Sequence, residues 1–236
     1  MKFSNLIENI EIIGFDLDDT LWNNHPVINE AVDEQFLFLS KYLPNFSLEH
    51  LRHKFQIIVQ QLISKNPIEC EDMTNLRMSA LSEFCNQFEL ESPVAKQAFE
   101  AFYVKRQAVT LYPQTKPLLS LLKKHFTVVA ISNGNVDLHQ IGIAHLFDLH
   151  WQAGRDGRAK PHPEMLLRLK DVFNVTMDNV LYVGDSYKND LGAAKAAGCY
   201  SVVIPSAVEQ HDVSYERLIT FDDLQQFYDE CKRQLA

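Results

Sequence analysis

From residue 112 onward, short apolar runs alternate with stretches of helical periodicity, and this alternation constrains the fold more than any other feature of the chain. The runs 126–131 (FTVVAI), 147–151 (FDLHW), 180–183 (VLYV) and 201–204 (SVVI) are short and largely apolar, and most are rich in β-branched residues. Runs of this kind mark strands buried on both faces of a parallel sheet. The stretches 116–125, 137–146, 162–173 and 191–197 read as helices. Strands alternating with helices predict a parallel sheet with right-handed crossovers. A further run, 10–15 (IEIIGF), has the same texture but lies far upstream. It reads as the first strand of that sheet, so whatever separates it from residue 112 is an insertion.

The insertion has its own texture. Val27, Ile28, Ala31, Val32, Phe36 and Leu39 recur at helical spacing, as do Leu51, Phe55, Ile58, Val59 and Leu62. Ser92–Pro93 has the form of a helix start, a capping residue followed by proline at the first helical position. The stretch from about 26 to 109 therefore predicts a bundle of about four helices. The expected architecture is an α/β protein: a Rossmann-like parallel-sheet core from 1–22 and 111–236, with an all-helical domain, 23–110, inserted after the first strand. A chain of 236 residues, 46% of them hydrophobic, has enough apolar material for both.

Charge narrows the partners. With 31 acidic against 22 basic residues the formal charge is −9, the opposite of a nucleic-acid footprint. An anionic substrate would need local positive charge from a metal, a lysine or a helix N-terminus. No apolar run approaches the roughly 20 residues of a membrane span, and acidic residues interrupt the N-terminal apolar stretch, so a soluble, cytoplasmic protein without membrane or nucleic-acid partners is expected. Cys70, Cys85, Cys199 and Cys231 are scattered without a CxxC pair and read as buried, reduced thiols.

Open α/β sheets bind ligands outside the carboxyl ends of their strands. Here the first run ends in Asp16-Leu17-Asp18-Asp19-Thr20 and the second in Ser132-Asn133-Gly134-Asn135. Lys160-Pro161 follows the third, and Gly184-Asp185-Ser186, with Asp190 shortly after, closes the fourth. Taken singly, a strand-end aspartate is a turn or cap residue and a lone lysine a solvated charge. Together they define one site. Side chains two apart in extended chain point the same way, so Asp16 and Asp18 face one spot and Asp185 arrives beside them. Like charges about 4 Å apart cost roughly 4 kcal/mol at an effective dielectric near 20. Such a cluster calls for a counter-charge, and oxygen-only ligands favour Mg²⁺. Ser132 and Asn133, where a strand turns into a helix, suit a phosphate, as does the charge of Lys160. Asp16 then becomes the nucleophile, forming an aspartyl-phosphate. Asp18 protonates the leaving alkoxide and afterwards activates water.

These motifs resemble, in order and spacing, the four motifs of the haloacid-dehalogenase-like hydrolases. The resemblance implies Asp16 as nucleophile and Asp18 as acid/base. It also implies Mg²⁺ held by Asp16, the Asp18 main-chain carbonyl and Asp185, with Asp190 assisting through water or Lys160. It makes the helical insertion a cap that closes over the site and selects substrate. Dehalogenases of this family need no metal and generally lack the second aspartate, so Asp18 favours phosphate chemistry. The wording FDLDDTLWNNHPVI, AISNGN and AGRDGRAKP is similar to the bacterial flavin-mononucleotide (FMN) phosphatases, linked to riboflavin synthesis through 5-amino-6-(5-phosphoribitylamino)uracil. A sugar-phosphate or nucleoside-monophosphate phosphatase is the main alternative, a phosphomutase a lesser one, and a monomer or weak dimer is expected.

Trp22 has two readings, stacking on a flavin or uracil ring or packing in the core. Arg77 either reaches a substrate from the cap or pairs with an acid such as Asp72. A phospho-accepting receiver domain would carry its acidic pair ahead of the phosphorylated aspartate and be about half as long. A non-catalytic protein on this fold would be expected to lack Asp16, Asp18 or Lys160.

Overall fold

The computed structural model describes residues 3–205 and 214–235. The chain divides into two compact units, Met1–Asn23 with Thr110–Gly134 and Gly142–Ala236, and Asn24–Val109 with Asn135–Ile141.

The first unit is built on a six-stranded sheet whose order is β3-β2-β1-β4-β5-β6. Its strands are β1 Ile12–Phe15, β2 Thr127–Ser132, β3 Leu149–Gln152, β4 Val180–Gly184, β5 Tyr200–Val203 and β6 Leu218–Thr220. Every pairing is parallel. Burial on both faces explains the unbroken apolar runs: Ile12, Val129, Ile131, Val180 and Tyr182 pack into one cluster with Met165, Leu166 and Leu169. The alternate residues Ile13, Phe15, Val128, Ala130, Leu181 and Val183 are equally buried. Gly14 pairs in register with Tyr182, and a Cβ there would lie 2.9 Å from the tyrosine ring. The glycine in IIGF is therefore a space requirement.

Elements of this unit that went unread in the sequence include β6, only three residues long, a short N-terminal helix, Phe3–Ile7, and a C-terminal helix, Leu224–Leu235. That helix buries Leu224, Phe227 and Cys231, a spacing of three and four, and Phe3 meets Phe227 edge-on at 5.7 Å. A second difference is a correction. Residues 137–146 were expected to be a helix, yet only a single 3₁₀ turn, Ala144–Leu146, forms there. The Asp137 carboxylate accepts from the His139 N–H and the Gln140 amide, closing a local turn that competes with helix. Gly142 then sits at φ 75°, in the left-handed region.

The second unit contains four α-helices, Asn24–Ser40, Leu48–Lys65, Met73–Gln87 and Ser92–Arg106. Their shared core includes Phe36, Leu39, Leu51, Phe55, Leu81 and Phe84. Ser47 caps the second of these helices by accepting from the His50 N–H, and Asp72 caps the third through the Thr74 and Asn75 N–H groups. Ser92 is already helical, with Glu91 in the cap position, so Ser92 does not cap as its neighbour proline suggested.

Candidate active site

The sheet order reverses direction at β1, whose two neighbours are β2 and β4, and in doubly wound sheets this switch point opens a crevice at the strands' carboxyl ends. Asp16 follows β1 directly, and its N–H still bonds to the Val183 carbonyl at 2.8 Å, so the aspartate is fixed by the ladder. Ser132 ends β2, Asp185 follows β4, and Lys160 lies in the loop after β3. Asp16, Asp18, Ser132, Asn133, Lys160 and Asp185 line one pocket of about 260 Å³, together with Asp19, Gly134, Ser186, Asn189 and Asp190. The structure thus brings together every core residue singled out from the sequence.

Lys160 is the hub. It is 4% exposed, and its ammonium donates to Asp16 Oδ1 at 2.5 Å, Asp190 Oδ1 at 2.7 Å and Tyr182 Oη at 2.6 Å. Its backbone is clamped by Asn133: the Asn133 amide nitrogen donates to the Lys160 carbonyl, and the Lys160 N–H donates to Asn133 Oδ1, both at 2.9 Å. This adds a second role to the one expected for Asn133. Its amide oxygen and one of its two amide N–H groups are spent on Lys160, so its side chain positions the lysine, with one N–H left over. Ser132 Oγ accepts from the Gly134 N–H at 2.9 Å, which leaves its own proton to give.

Asp190 is 1% exposed and fully engaged, with Oδ2 accepting from the Ser186 N–H at 2.9 Å and Oδ1 from Lys160. It is carried on a π-helical turn, Tyr187–Leu191, that folds it back against β4. Gly184 is what permits this: a Cβ there would fall inside the Asp190 carboxyl group. Thr20, part of the first motif but given no role from the sequence, donates from a hydroxyl placed between Asp16 Oδ2 at 3.3 Å and Asp185 Oδ1 at 3.4 Å. Tyr182 was also missed. The signal was available, because a tyrosine inside an apolar parallel strand must find a partner for its hydroxyl. Trp22 resolves against the stacking reading: it has no exposed surface, and its Nε1 donates to Asp18 Oδ1 at 3.0 Å, holding that carboxylate.

Burial pushes the Asp16 carboxyl well above the usual carboxylate range; Lys160 pulls against it, while Asp190 and Asp185 push with it. Burial works to lower the Lys160 ammonium, but Asp16 and Asp190 outweigh it and hold it above its ordinary value. Both directions describe a buried site short of positive charge. Carboxylate oxygens of Asp16, Asp185 and Asp190 lie within 4.8 Å of one another. Three carboxylates against one ammonium, with no histidine or cysteine among the lining residues, fit a hard divalent cation.

In the helical unit, Asp72 is spent on capping, so the pairing with Arg77 does not form. Arg77 instead donates to Gln35 Oε1 at 2.9 Å and lies 3.6 Å over the Phe102 ring. Burial, with Arg106 nearby, lowers it to about 10.

Geometry of this kind, with acidic strand ends, a buried lysine and a serine on one parallel sheet, defines the haloacid-dehalogenase-like hydrolases, and the chain belongs to that family. The family description, haloacid dehalogenase-like hydrolase, matches residues 10–198. The chain is 30% identical over 205 residues to 5-amino-6-(5-phospho-D-ribitylamino)uracil phosphatase YigB of Escherichia coli (strain K12), covering 84% of both chains. It is 29% identical over 211 residues to phosphoglycolate phosphatase of Aliivibrio fischeri (strain ATCC 700601 / ES114), covering 84% of this chain and 86% of the relative. The crystal structure of 2-haloacid dehalogenase from Pseudomonas syringae pv. Tomato DC3000 superposes with a TM-score of 0.84 at 27% identity, covering 96% of this chain and all of that one. The curated relatives place the chain among the phosphoric monoester hydrolases of the family.

Proposed function

We propose that the chain is a Mg²⁺-dependent phosphatase that hydrolyses a small-molecule phosphomonoester through an aspartyl-phosphate on Asp16. The observation that carries this reading is the Asp16 carboxylate, buried at the end of β1 at 2.5 Å from Lys160 Nζ, in a pocket shared with Ser132 and Asp185. An Asp16 carboxylate oxygen attacks phosphorus as the ester P–O bond breaks, and Asp18 gives the leaving alkoxide its proton. Water then attacks phosphorus, Asp18 takes back a proton, and inorganic phosphate leaves with Asp16 restored. Ser132 donates to a phosphate oxygen and Lys160 supplies charge throughout. Mg²⁺ on Asp16, Asp185 and the Asp18 main chain would add the positive charge that lets a phosphate dianion approach these carboxylates.

The substrate class favoured by the motif wording and by the name of the Escherichia coli relative is a ribityl phosphate bearing a flat heterocycle, 5-amino-6-(5-phospho-D-ribitylamino)uracil or FMN. The alternative is a sugar-phosphate or nucleoside-monophosphate phosphatase, with a phosphomutase behind it, and the phosphoglycolate phosphatase relative supports a small ester of another kind. We assign residues 23–110 as the cap that reads the leaving group, with Arg77 as its recognition residue, and the cytoplasm as the compartment; no helix among the described residues is long and apolar enough to cross a membrane.

The test is a panel of phosphorylated metabolites with and without Mg²⁺. Activity is expected to vanish with EDTA and return with Mg²⁺, and Asp16→Asn is expected to abolish turnover with the fold intact. Full activity after exhaustive chelation, or an Asp16→Asn enzyme that retains more than about a hundredth of the wild-type rate, refutes the mechanism.

A further inference from the structure

The ammonium of Lys160 has three N–H bonds, and each has an acceptor: Asp16, Asp190 and Tyr182. Two of these acceptors belong to the carboxylate cluster that fits a divalent cation. Tyr182 does not. Its hydroxyl proton is committed to the Ile131 carbonyl at 2.8 Å, which turns a lone pair toward Lys160. Its ring is completely buried and seated over Gly14, where even a Cβ would crowd it. The hydroxyl is thus a fixed, neutral acceptor held by two strands of the sheet.

Consider the ammonium once a cation joins the cluster. The carboxylates that held it are neutralised in part, and the cation itself repels it. The neutral phenol is the one acceptor whose attraction the cation does not weaken. A hydrogen bond from a charged donor is about twice as strong as a neutral one, and here it is shielded from water. We infer that Tyr182 is a positioning residue that keeps Lys160 seated in the metal-loaded enzyme. This rests on the metal-dependent reading given above.

The experiment compares the full-length wild type with Tyr182→Phe, which removes only the hydroxyl. Each protein, with and without Mg²⁺, is treated with a limiting amount of an amine-acylating reagent. Modification of Lys160 is read by peptide mass spectrometry against Lys188, which is exposed. With Mg²⁺ present, Lys160 of the variant is expected to react about tenfold faster than in the wild type, the effect of one hydrogen bond to a charged group. Without Mg²⁺ the two proteins should match. The kcat for p-nitrophenyl phosphate should fall by a similar factor with KM unchanged. Equal modification in Mg²⁺ overturns the inference, and so does faster modification regardless of Mg²⁺, which a merely structural role would give. If the variant does not fold, wild-type crystals with and without Mg²⁺ decide: a Lys160 Nζ to Tyr182 Oη separation beyond about 3.5 Å in the loaded form overturns the inference. A wild type that binds Mg²⁺ but hydrolyses no phosphate ester removes the phosphatase mechanism and leaves the modification result to judge Tyr182 alone.

Discussion

Gly184→Ala is the sharpest test of how the site is packed. The added methyl would occupy the space of the Asp190 carboxyl group, which is 1% exposed and has nowhere to retreat. Crowding a packed position costs about 1–3 kcal/mol. Moving the carboxylate also breaks its bonds to Lys160 Nζ at 2.7 Å and to the Ser186 N–H at 2.9 Å. Hydrogen bonds to a charged group are worth about 1.5–3 kcal/mol each, so a loss of at least about 4 kcal/mol is expected. At about 2–4 °C per kcal/mol for a chain of this size, that lowers Tm by at least about 8 °C. Turnover should collapse with it, because Lys160 loses one of its two carboxylates. Gly198→Ala is the control: φ there is 78° with nothing within 4 Å, so only backbone strain of about 1–2 kcal/mol applies and activity should persist. The assay is a thermal melt followed by circular dichroism, beside hydrolysis of p-nitrophenyl phosphate. A Gly184→Ala protein that melts within about 3 °C of wild type and turns over normally refutes the packing argument.

Three further outcomes are expected. Asp18→Asn should slow both formation and hydrolysis of the aspartyl-phosphate, by about 10²–10⁴-fold in steady-state kcat; an unchanged kcat would remove Asp18 from acid–base work. Arg77→Ala should raise KM for FMN with little change for p-nitrophenyl phosphate, and should also lower Tm through the lost Gln35 bond and Phe102 contact; equal kinetic losses on both substrates would make Arg77 structural. Cys85, Cys199 and Cys231 are buried, with thiols pushed up to about 11, 12 and 12. A thiol-specific chromogenic reagent should therefore find only Cys70 in the native protein and all four cysteines in denaturant.

The sheet was legible because parallel strands are buried on both faces, which writes them as apolar runs, and the residues that follow those runs could be read as a site on the same logic. Asp16, Ser132, Lys160 and Asp185 converge as expected. What the sequence hid depends on contacts distant along the chain. That Asn133 clamps the Lys160 backbone, through its amide oxygen and one amide N–H, could not be read from two motifs 27 residues apart. Trp22 looks like a stacking platform until its indole N–H is found on Asp18. The false helix at 137–146 had the right apolar spacing, and only the Asp137 side chain and Gly142 defeat it. The edge strand β6 is half-exposed and three residues long, too short to carry a pattern.

The likeness to a 2-haloacid dehalogenase at a TM-score of 0.84 shows how little of the chemistry the fold dictates. An aspartate nucleophile at the end of β1 could attack carbon as readily as phosphorus. The difference lies in the leaving group. A halide departs as a stable anion and needs no proton, so a dehalogenase has no use for an acid at position 18. An alkoxide does need one, and a carboxyl group is effective only if held at a fixed place beside the breaking bond. Asp18 is held in this way: its carboxylate accepts from Trp22 Nε1 at 3.0 Å, and the indole is itself locked in the core with no exposed surface. In the mechanism proposed above, a buried tryptophan that orients this one carboxylate serves the step a phosphate ester needs, protonation of a departing alkoxide.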